Sequence, residues 1–110
     1  MAEPYLKELT IIVERVSAAH EKAVHITCKH FFSGAAAYVD GHIFMSLSPV
    51  GLALKLSRDD CESLLSQGGQ PLRYFPKAPV KKGYVVLPDR VMDEESLSGW
   101  MVRSIDYVLH

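Results

Sequence analysis

Histidines and cysteines are the residues of this 110-residue chain that could hold a metal ion or perform nucleophilic chemistry. The candidate ligands are His20, His25, Cys28, His30, His42 and Cys61. They lack the short paired spacings of a structural zinc site. Cys28 and His30 would project from one face of a strand, but a catalytic pair needs a third group to orient the base, and none is implied. We therefore predict no metal, no cofactor and no catalytic residue.

A basic stretch offers a second kind of chemistry, because lysine and arginine can bind phosphate. Its members are Arg73, Lys77, Lys81 and Lys82, in a segment that also contains two prolines. Lysines and prolines beside a strand also discourage edge-to-edge pairing of sheets. We favour this protective role, because the formal net charge is -1 and no basic stripe with interleaved aromatic residues is present. The four residues remain the candidate interaction surface.

Acidic residues occur in two short groups that could suggest acid–base chemistry. The groups are Asp59 with Asp60, and Asp93 with Glu94 and Glu95. Each group falls where a predicted helix begins, and carboxylates there complement the helix dipole. We therefore assign them to helix formation.

Length and composition bound the remaining possibilities. A chain of 110 residues with 48% hydrophobic and 23% charged residues is predicted to form one domain over residues 1–110. Two cysteines without a CxxC spacing indicate neither a disulfide framework nor a zinc ribbon. No stretch has the length of a membrane span, and the first residues do not resemble a signal peptide. We predict a cytoplasmic protein without a membrane partner.

The elements that must position these residues are organised around residues 36–56, which predict three antiparallel strands. Asp40-Gly41 is a favoured pair for a type I′ hairpin turn, in which both central residues have positive φ. Residues 48–51, Ser-Pro-Val-Gly, are typical of a type I turn. In the second strand Ile43, Met45 and Leu47 alternate with the residues between them, which predicts Phe44 on the opposite face.

Three helices are predicted around this meander. The first begins near Pro4, and its apolar stripe is Leu6, Leu9, Val13, Val16, Ala19 and Ala23. The second has Ser57 as its N-cap and ends at Gly68-Gly69. The third begins at Asp93 and buries a face that includes Trp100.

The first strand of this meander is predicted to be bent or bulged and to run from His25 through the small residues 33–37, and two later strands are predicted at residues 71–75 and 84–87. The small residues indicate close approach of another backbone. The resulting order is α-β-β-β-α-β-β-α. It predicts an α+β two-layer fold with one five-stranded antiparallel sheet and helices on one face.

The ordered motifs resemble the N-terminal domain of the TfoX/Sxy family of bacterial competence regulators. The residues that carry the resemblance are Phe32, Gly34, Tyr38, Asp40, Gly41, Phe44, Lys55, Tyr84, Pro88 and Trp100. The resemblance covers residues 23–109 and implies a fold similar to that of secretion chaperones. It also implies a part in transcriptional control through contacts with other proteins, without catalysis or sequence-specific DNA reading by this domain.

Two departures from the family pattern are visible. The family usually has Arg-x-Met-Phe-Gly-Gly where this chain has Lys29 through Gly34, so one glycine and the arginine are replaced. The second, helical domain of full-length competence regulators is not in this sequence. The chain is expected to be a stand-alone form of the N-terminal domain.

Three functional hypotheses follow. The first is a protein-interaction module whose partner could belong to the transcription machinery, because no convergent set of nucleophile, base and oxyanion donor is visible. The second is a weak nucleic-acid binder that uses residues 77–82. The third is a carrier or enzyme for a small ligand or metal, with a pocket between sheet and helix. A homodimer is a further expectation, since an open sheet has two edges.

Overall fold

Three α-helices and a six-stranded antiparallel sheet form the computed structural model, which describes residues 3–17, 26–31, 34–73 and 77–109. The helices are α1 (Glu3–Ser17), α2 (Arg58–Ser66) and α3 (Glu94–Leu109), with a 3-10 helix at Asp89–Val91. The strands are β1 (Ile26–Phe31), β2 (Gly34–Val39), β3 (His42–Ser48), β4 (Gly51–Lys55), β5 (Gln70–Pro71) and β6 (Tyr84–Val86). Across the sheet their order is β1-β2-β3-β4-β6-β5. The predicted α+β class is confirmed, with six strands where five were expected.

The additional strand arises because the predicted bent first strand is a hairpin of two strands. β1 pairs with β2 from Ile26↔Val39 to Phe31↔Gly34 without a register shift. The predicted close backbone approach is present at Gly34. A Cβ there would lie 2.9 Å from the Cα of Ser48 and nearer still to the carbonyl oxygen of Leu47. Only glycine lets β2 begin this close to β3.

The two predicted turns of the meander are present. Asp40 and Gly41 have φ values of 49° and 84°, the positive pair that a type I′ turn requires. At the second turn the backbone N–H of Val50 donates to the Ser48 hydroxyl oxygen at 3.4 Å. Local turn chemistry therefore fixes the order β2-β3-β4 in the sheet.

Phe44 is the point at which the predicted alternation along β3 is wrong. Ala37 pairs with Met45 but Tyr38 pairs with Ile43, so the register shifts and Phe44 is an extra residue in β3. Such a β-bulge places two successive side chains on the same side of the strand. Phe44 and Met45 are accordingly both 0% exposed in the main core.

Helices α1, α2 and α3 cover one face of the sheet and share one hydrophobic core with it, as predicted. Leu9 of α1, Leu64 of α2 and Met101 of α3 are buried in this core. A smaller cluster on the sheet contains Leu72 and Tyr84. The main core thus holds the three helices on the sheet. Leu72, which follows β5, is held by the smaller cluster.

The helix signals of α2 are confirmed. The Ser57 hydroxyl oxygen accepts from the backbone N–H of Asp60 at 3.2 Å, which satisfies a free donor of the first turn. Beyond the other end Gly68 has a φ of 105°, as a C′ glycine does.

Some predictions differ in extent or lie outside the described residues. The strand predicted at residues 71–75 corresponds to the shorter β5, which shares only Pro71 with the predicted range. The strand predicted at residues 84–87 ends at Val86. The 3-10 helix was not predicted. Ala19 and Ala23 of the first helix, Phe32 and Ser33, and residues 74–76 lie outside the described residues.

Candidate interaction surface

The basic loop, which we define by Arg73, Lys77, Lys81 and Lys82, follows the edge strand β5 and leads into β6. Its two ends are joined by a hydrogen bond of 2.9 Å from the backbone N–H of Lys81 to the carbonyl oxygen of Leu72. Across the loop, Nη1 of Arg73 donates to the carbonyl oxygen of Ala78, also at 2.9 Å. These contacts bring the start and end of the loop together.

Apolar burial fixes the same backbone against the sheet. Leu72 is 0% exposed and packs with Ala53, Tyr84 and Val86, and Ala78 is also buried. The hydrophobic contacts lie beneath the loop while its charged side chains face solvent. The described residues at the two ends of the loop are thus held in place by packing and hydrogen bonds.

The four cations of the basic loop are exposed and have no acidic partner in the described part of the chain. The ion pairs present there join Arg58 to Glu62 and Arg103 to Asp60, both on or beside α2. The loop therefore presents concentrated positive charge beside the edge of the sheet. This position fits the protective role and an interaction surface equally well.

Aromatic residues that the sequence singled out are packed or serve as platforms for cations. Nζ of Lys55 lies 5.9 Å from the ring centroid of Tyr84, and Arg103 lies 5.2 Å from that of Trp100. Trp100 also packs against the core. These contacts stabilise the domain, and they do not form a cage for a ligand.

The histidines and cysteines do not converge among the described residues, where no group of three metal-ligating side chains is present. His30 and His42 are exposed, on β1 and at the β2–β3 turn. Burial raises the pKa of both the Cys28 and the Cys61 thiol, which disfavours the reactive thiolate. His20 and His25 lie outside the described residues.

The acidic groups are found at helix starts, as predicted. Asp59 and Asp60 are in the first turn of α2. Oδ2 of Asp93 accepts from the backbone N–H of Ser96 at 3.0 Å, and this hydrogen bond lowers the pKa of the Asp93 carboxyl. The Asp93 carboxylate therefore caps the first turn of α3.

A cavity of about 420 Å³ lies between the sheet and α3, where β3 begins, β4 ends and α3 ends; the third hypothesis expected a pocket between sheet and helix but did not name its residues. It is lined by Gly41, His42, Ile43, Lys55, Tyr107 and Val108. His42 and Tyr107 are exposed and Lys55 is half-buried. The lining residues of the cavity come from positions far apart in sequence, so local patterns could not identify them. Three of the six lining residues, His42, Lys55 and Tyr107, carry polar groups.

A family model described as the TfoX N-terminal domain matches residues 19–108. The chain belongs to this family. No curated protein and no solved structure is similar enough to the chain to give a match. In the described part of this TfoX N-terminal domain, no helix has both the length and the apolar character needed to span a membrane.

The motif residues of this TfoX N-terminal domain mainly build its fold. Gly34 permits the approach of β2 to β3, and Asp40 with Gly41 forms the turn between them. Lys55 pairs with Tyr84 across β4 and β6. Phe32 lies outside the described residues. None of the motif residues is one of the four cations of the basic loop, although Tyr84 packs with Leu72 beneath the loop.

Proposed function

We propose that this TfoX N-terminal domain is a non-catalytic protein-interaction module that acts in the regulation of gene expression. Membership of a family linked with competence regulation supports the regulatory role. The observation that carries the proposal is the basic loop, in which exposed cations are attached to a backbone held by hydrogen bonds and apolar burial. A preorganised surface loses little conformational entropy when it binds a partner.

The charge distribution favours a short acidic segment of a protein as the partner. Four of the 12 lysines and arginines are in the basic loop, so the rest of the chain has eight basic residues and 13 acidic residues. A long polyanion bound at the loop would also pass over the rest of the protein surface, where acidic residues outnumber basic ones. Charges repel over a Debye length of about 8 Å at physiological ionic strength. A compact acidic segment would contact the loop alone.

The test is affinity capture of the tagged protein from its own host, with nuclease present, followed by mass spectrometry. The loop variant carries Lys77→Ser, Lys81→Ser and Lys82→Ser. A control variant with Lys7→Ser and Arg15→Ser on α1 and Arg90→Ser beside α3 changes the net charge equally at exposed positions.

The expected result is a component of the transcription machinery that is retained by the wild type and the control but lost from the loop variant. Equal retention by both variants would remove the basic loop from the interaction. Absence of any retained regulatory protein would contradict the proposed function.

Weak nucleic-acid binding is a second candidate function, because the same exposed cations could contact phosphates. Its discriminating property is salt dependence, since each phosphate contact releases counterions. Up to four contacts from the basic loop predict a slope of log affinity against log salt of up to about −3.6 on duplex DNA. A fluorescence titration in which binding is insensitive to salt, or survives in the loop variant, would exclude this candidate.

A further inference from the structure

The cavity beside α3 lies where the pairing of two strands stops. The last pair that joins β3 to β4 at this end is Met45↔Leu54, so the start of β3 and the end of β4 separate beyond it. The buried hydroxyl group of Ser104 on α3 hydrogen-bonds to backbone carbonyl oxygens of both strands there. Tyr107 and Val108, which line the cavity, lie one turn further along the same helix. The walls of the cavity are therefore connected by buried hydrogen bonds.

The size and the apolar lining of the cavity suit a small organic molecule. Its volume of about 420 Å³ is in the lower part of the range of about 300–1,000 Å³ found for small-molecule sites. Ile43 of β3 and Val108 of α3 are both half-buried and offer apolar contacts. Gly41 has no side chain, and an added Cβ there would have no atom within 4 Å, so open space lies beside it. A molecule with a small apolar body can therefore enter.

Lys55 brings a positive charge to the cavity. It is half-buried, and the ion pairs in the described part of the chain join other residues. Nζ of Lys55 lies 5.9 Å from the centroid of the Tyr84 ring, which is near the limit of about 6 Å for attraction between a cation and a ring. An ammonium group has three hydrogen-bond donors, and a partly desolvated cation is stabilised by a counterion. An anion bound in the cavity would supply this counterion.

His42 and Tyr107 are two further lining residues that can form hydrogen bonds. Within the described ranges, neither the imidazole of His42 nor the hydroxyl group of Tyr107 has a hydrogen-bond partner. Each of the two groups can donate a hydrogen bond to an oxygen atom. A carboxylate accepts several hydrogen bonds at its two oxygens. The polar side chains of the cavity therefore match a carboxylate.

Negative charge near the cavity limits the charge of the anion. Asp40 and Asp106 are exposed and are the neighbours in sequence of the lining residues Gly41 and Tyr107. The C-terminal end of α3 has carbonyl groups without partners in the helix and is the negative end of the helix dipole. These charges repel a phosphate or a polyanion more strongly than an anion with one charge.

We infer that the cavity binds a small monocarboxylate with an apolar body. Lys55 neutralises the carboxylate, His42 and Tyr107 donate hydrogen bonds to it, and Ile43 and Val108 contact the apolar body. This inference does not depend on the proposed function, because no residue of the basic loop lines the cavity.

The test is an NMR titration of the ¹⁵N-labelled full chain with benzoate, benzamide and benzamidine. These probes share one ring and carry a negative charge, no charge and a positive charge. The expected order of affinity is benzoate, then benzamide, then benzamidine, with a dissociation constant for benzoate on the order of 1 mM. Benzoate should shift the amide signals of Gly41, His42 and Tyr107. Inorganic phosphate is the fourth probe and should bind the cavity more weakly than benzoate.

Substitutions in the cavity test the role of each polar group, and the spectrum of each variant shows whether it is folded. Lys55→Met keeps an unbranched side chain but removes the charge, so it should raise the dissociation constant of benzoate about 10-fold and leave that of benzamide unchanged. Lys7→Met at an exposed position of α1 changes the net charge equally and should bind as the wild type does. Tyr107→Phe removes one hydroxyl group and should weaken benzoate binding by about 2-fold to 10-fold.

Four results would overturn the inference. Absence of shifts at the cavity with benzoate would exclude the site. Equal affinity for benzoate and benzamide, or benzoate binding unchanged by Lys55→Met, would show that the cavity does not recognise a carboxylate. Loss of benzoate binding in the variant with Lys77→Ser, Lys81→Ser and Lys82→Ser would assign the anion to the basic loop. Tighter binding of phosphate than of benzoate at the cavity would exclude a monocarboxylate as its ligand.

Discussion

The hydroxyl group of Ser104 on α3 lies 2.6 Å from the carbonyl oxygen of Lys55, at the end of β4, and 3.0 Å from that of Phe44 on β3. The pairing of β3 with β4 ends at Met45↔Leu54, so both carbonyls lie just beyond the last paired residues. One buried hydroxyl proton is thus shared between two strand carbonyls at the site of the bulge. The helix contributes a hydrogen bond where the sheet cannot.

Ser104→Ala is expected to lower the free energy of unfolding by about 1–3 kcal/mol, because it removes the donor and leaves buried carbonyl oxygens without it. Ser98→Ala on the same helix is the control, since Ser98 is only half-buried, and its effect should stay within about 0.5 kcal/mol. Urea denaturation measures both variants. Equal effects would show that the Ser104 hydrogen bonds add no net stability.

Ser46→Ala should act in the opposite direction. The Ser46 hydroxyl is 1% exposed and has no hydrogen-bond partner among the described residues. Removing a buried polar group that lacks a partner relieves its desolvation cost, so we expect a gain of about 1 kcal/mol in the free energy of unfolding. The same denaturation experiment measures it, and a loss of stability would reveal a partner for this hydroxyl.

Gly34→Ala should destabilise the protein by more than about 3 kcal/mol, because the new Cβ would overlap the backbone of β3 and rigid backbone cannot yield. Gly99→Ala is its control. Gly99 lies within α3 with no atom within 4 Å of an added Cβ, so alanine should raise stability by about 0.5–1 kcal/mol. Circular dichroism during thermal unfolding compares the two variants. A folded Gly34→Ala variant of normal stability would contradict the tight approach of β2 to β3.

Alkylation of the two thiols should depend on pH with a midpoint above the ordinary thiol value of 9.0, because burial raises the pKa of both Cys28 and Cys61. The folded state favours the protonated thiol, so the associated stability is present below the unfolded pKa and is lost as the pH rises through the folded pKa. Mass spectrometry after brief iodoacetamide treatment measures the midpoint. The denatured protein is the control, and a folded midpoint at or below its value would contradict the effect of burial.

The parts of the fold that depend on local chemistry were predictable. Asp40-Gly41 specifies its turn through positive φ, and Ser57 and Gly68 delimit α2 through hydrogen bonds within a few residues. These interactions use neighbours in sequence, so residue types and spacing are sufficient to indicate them.

The bulge at Phe44 and the division of the first strand could not be predicted in the same way. The side of the sheet on which Phe44 lies depends on a core built by all three helices and on contacts with α3. For β1 and β2, the small residues 34–37 indicated close packing but no strand boundary. The positive charge of the basic loop was visible in the sequence. The contacts that hold the loop backbone were not visible in the sequence, because the hydrogen bond between Lys81 and Leu72 and the burial of Ala78 depend on tertiary packing.

The basic loop separates what holds its backbone from what its surface displays. Leu72 and Ala78 anchor the loop, whereas the lysine side chains make no contact on which the core depends. Substitution of these lysines therefore alters the surface charge at little cost in stability. The charge that the loop displays can therefore change without a change in the architecture that supports it.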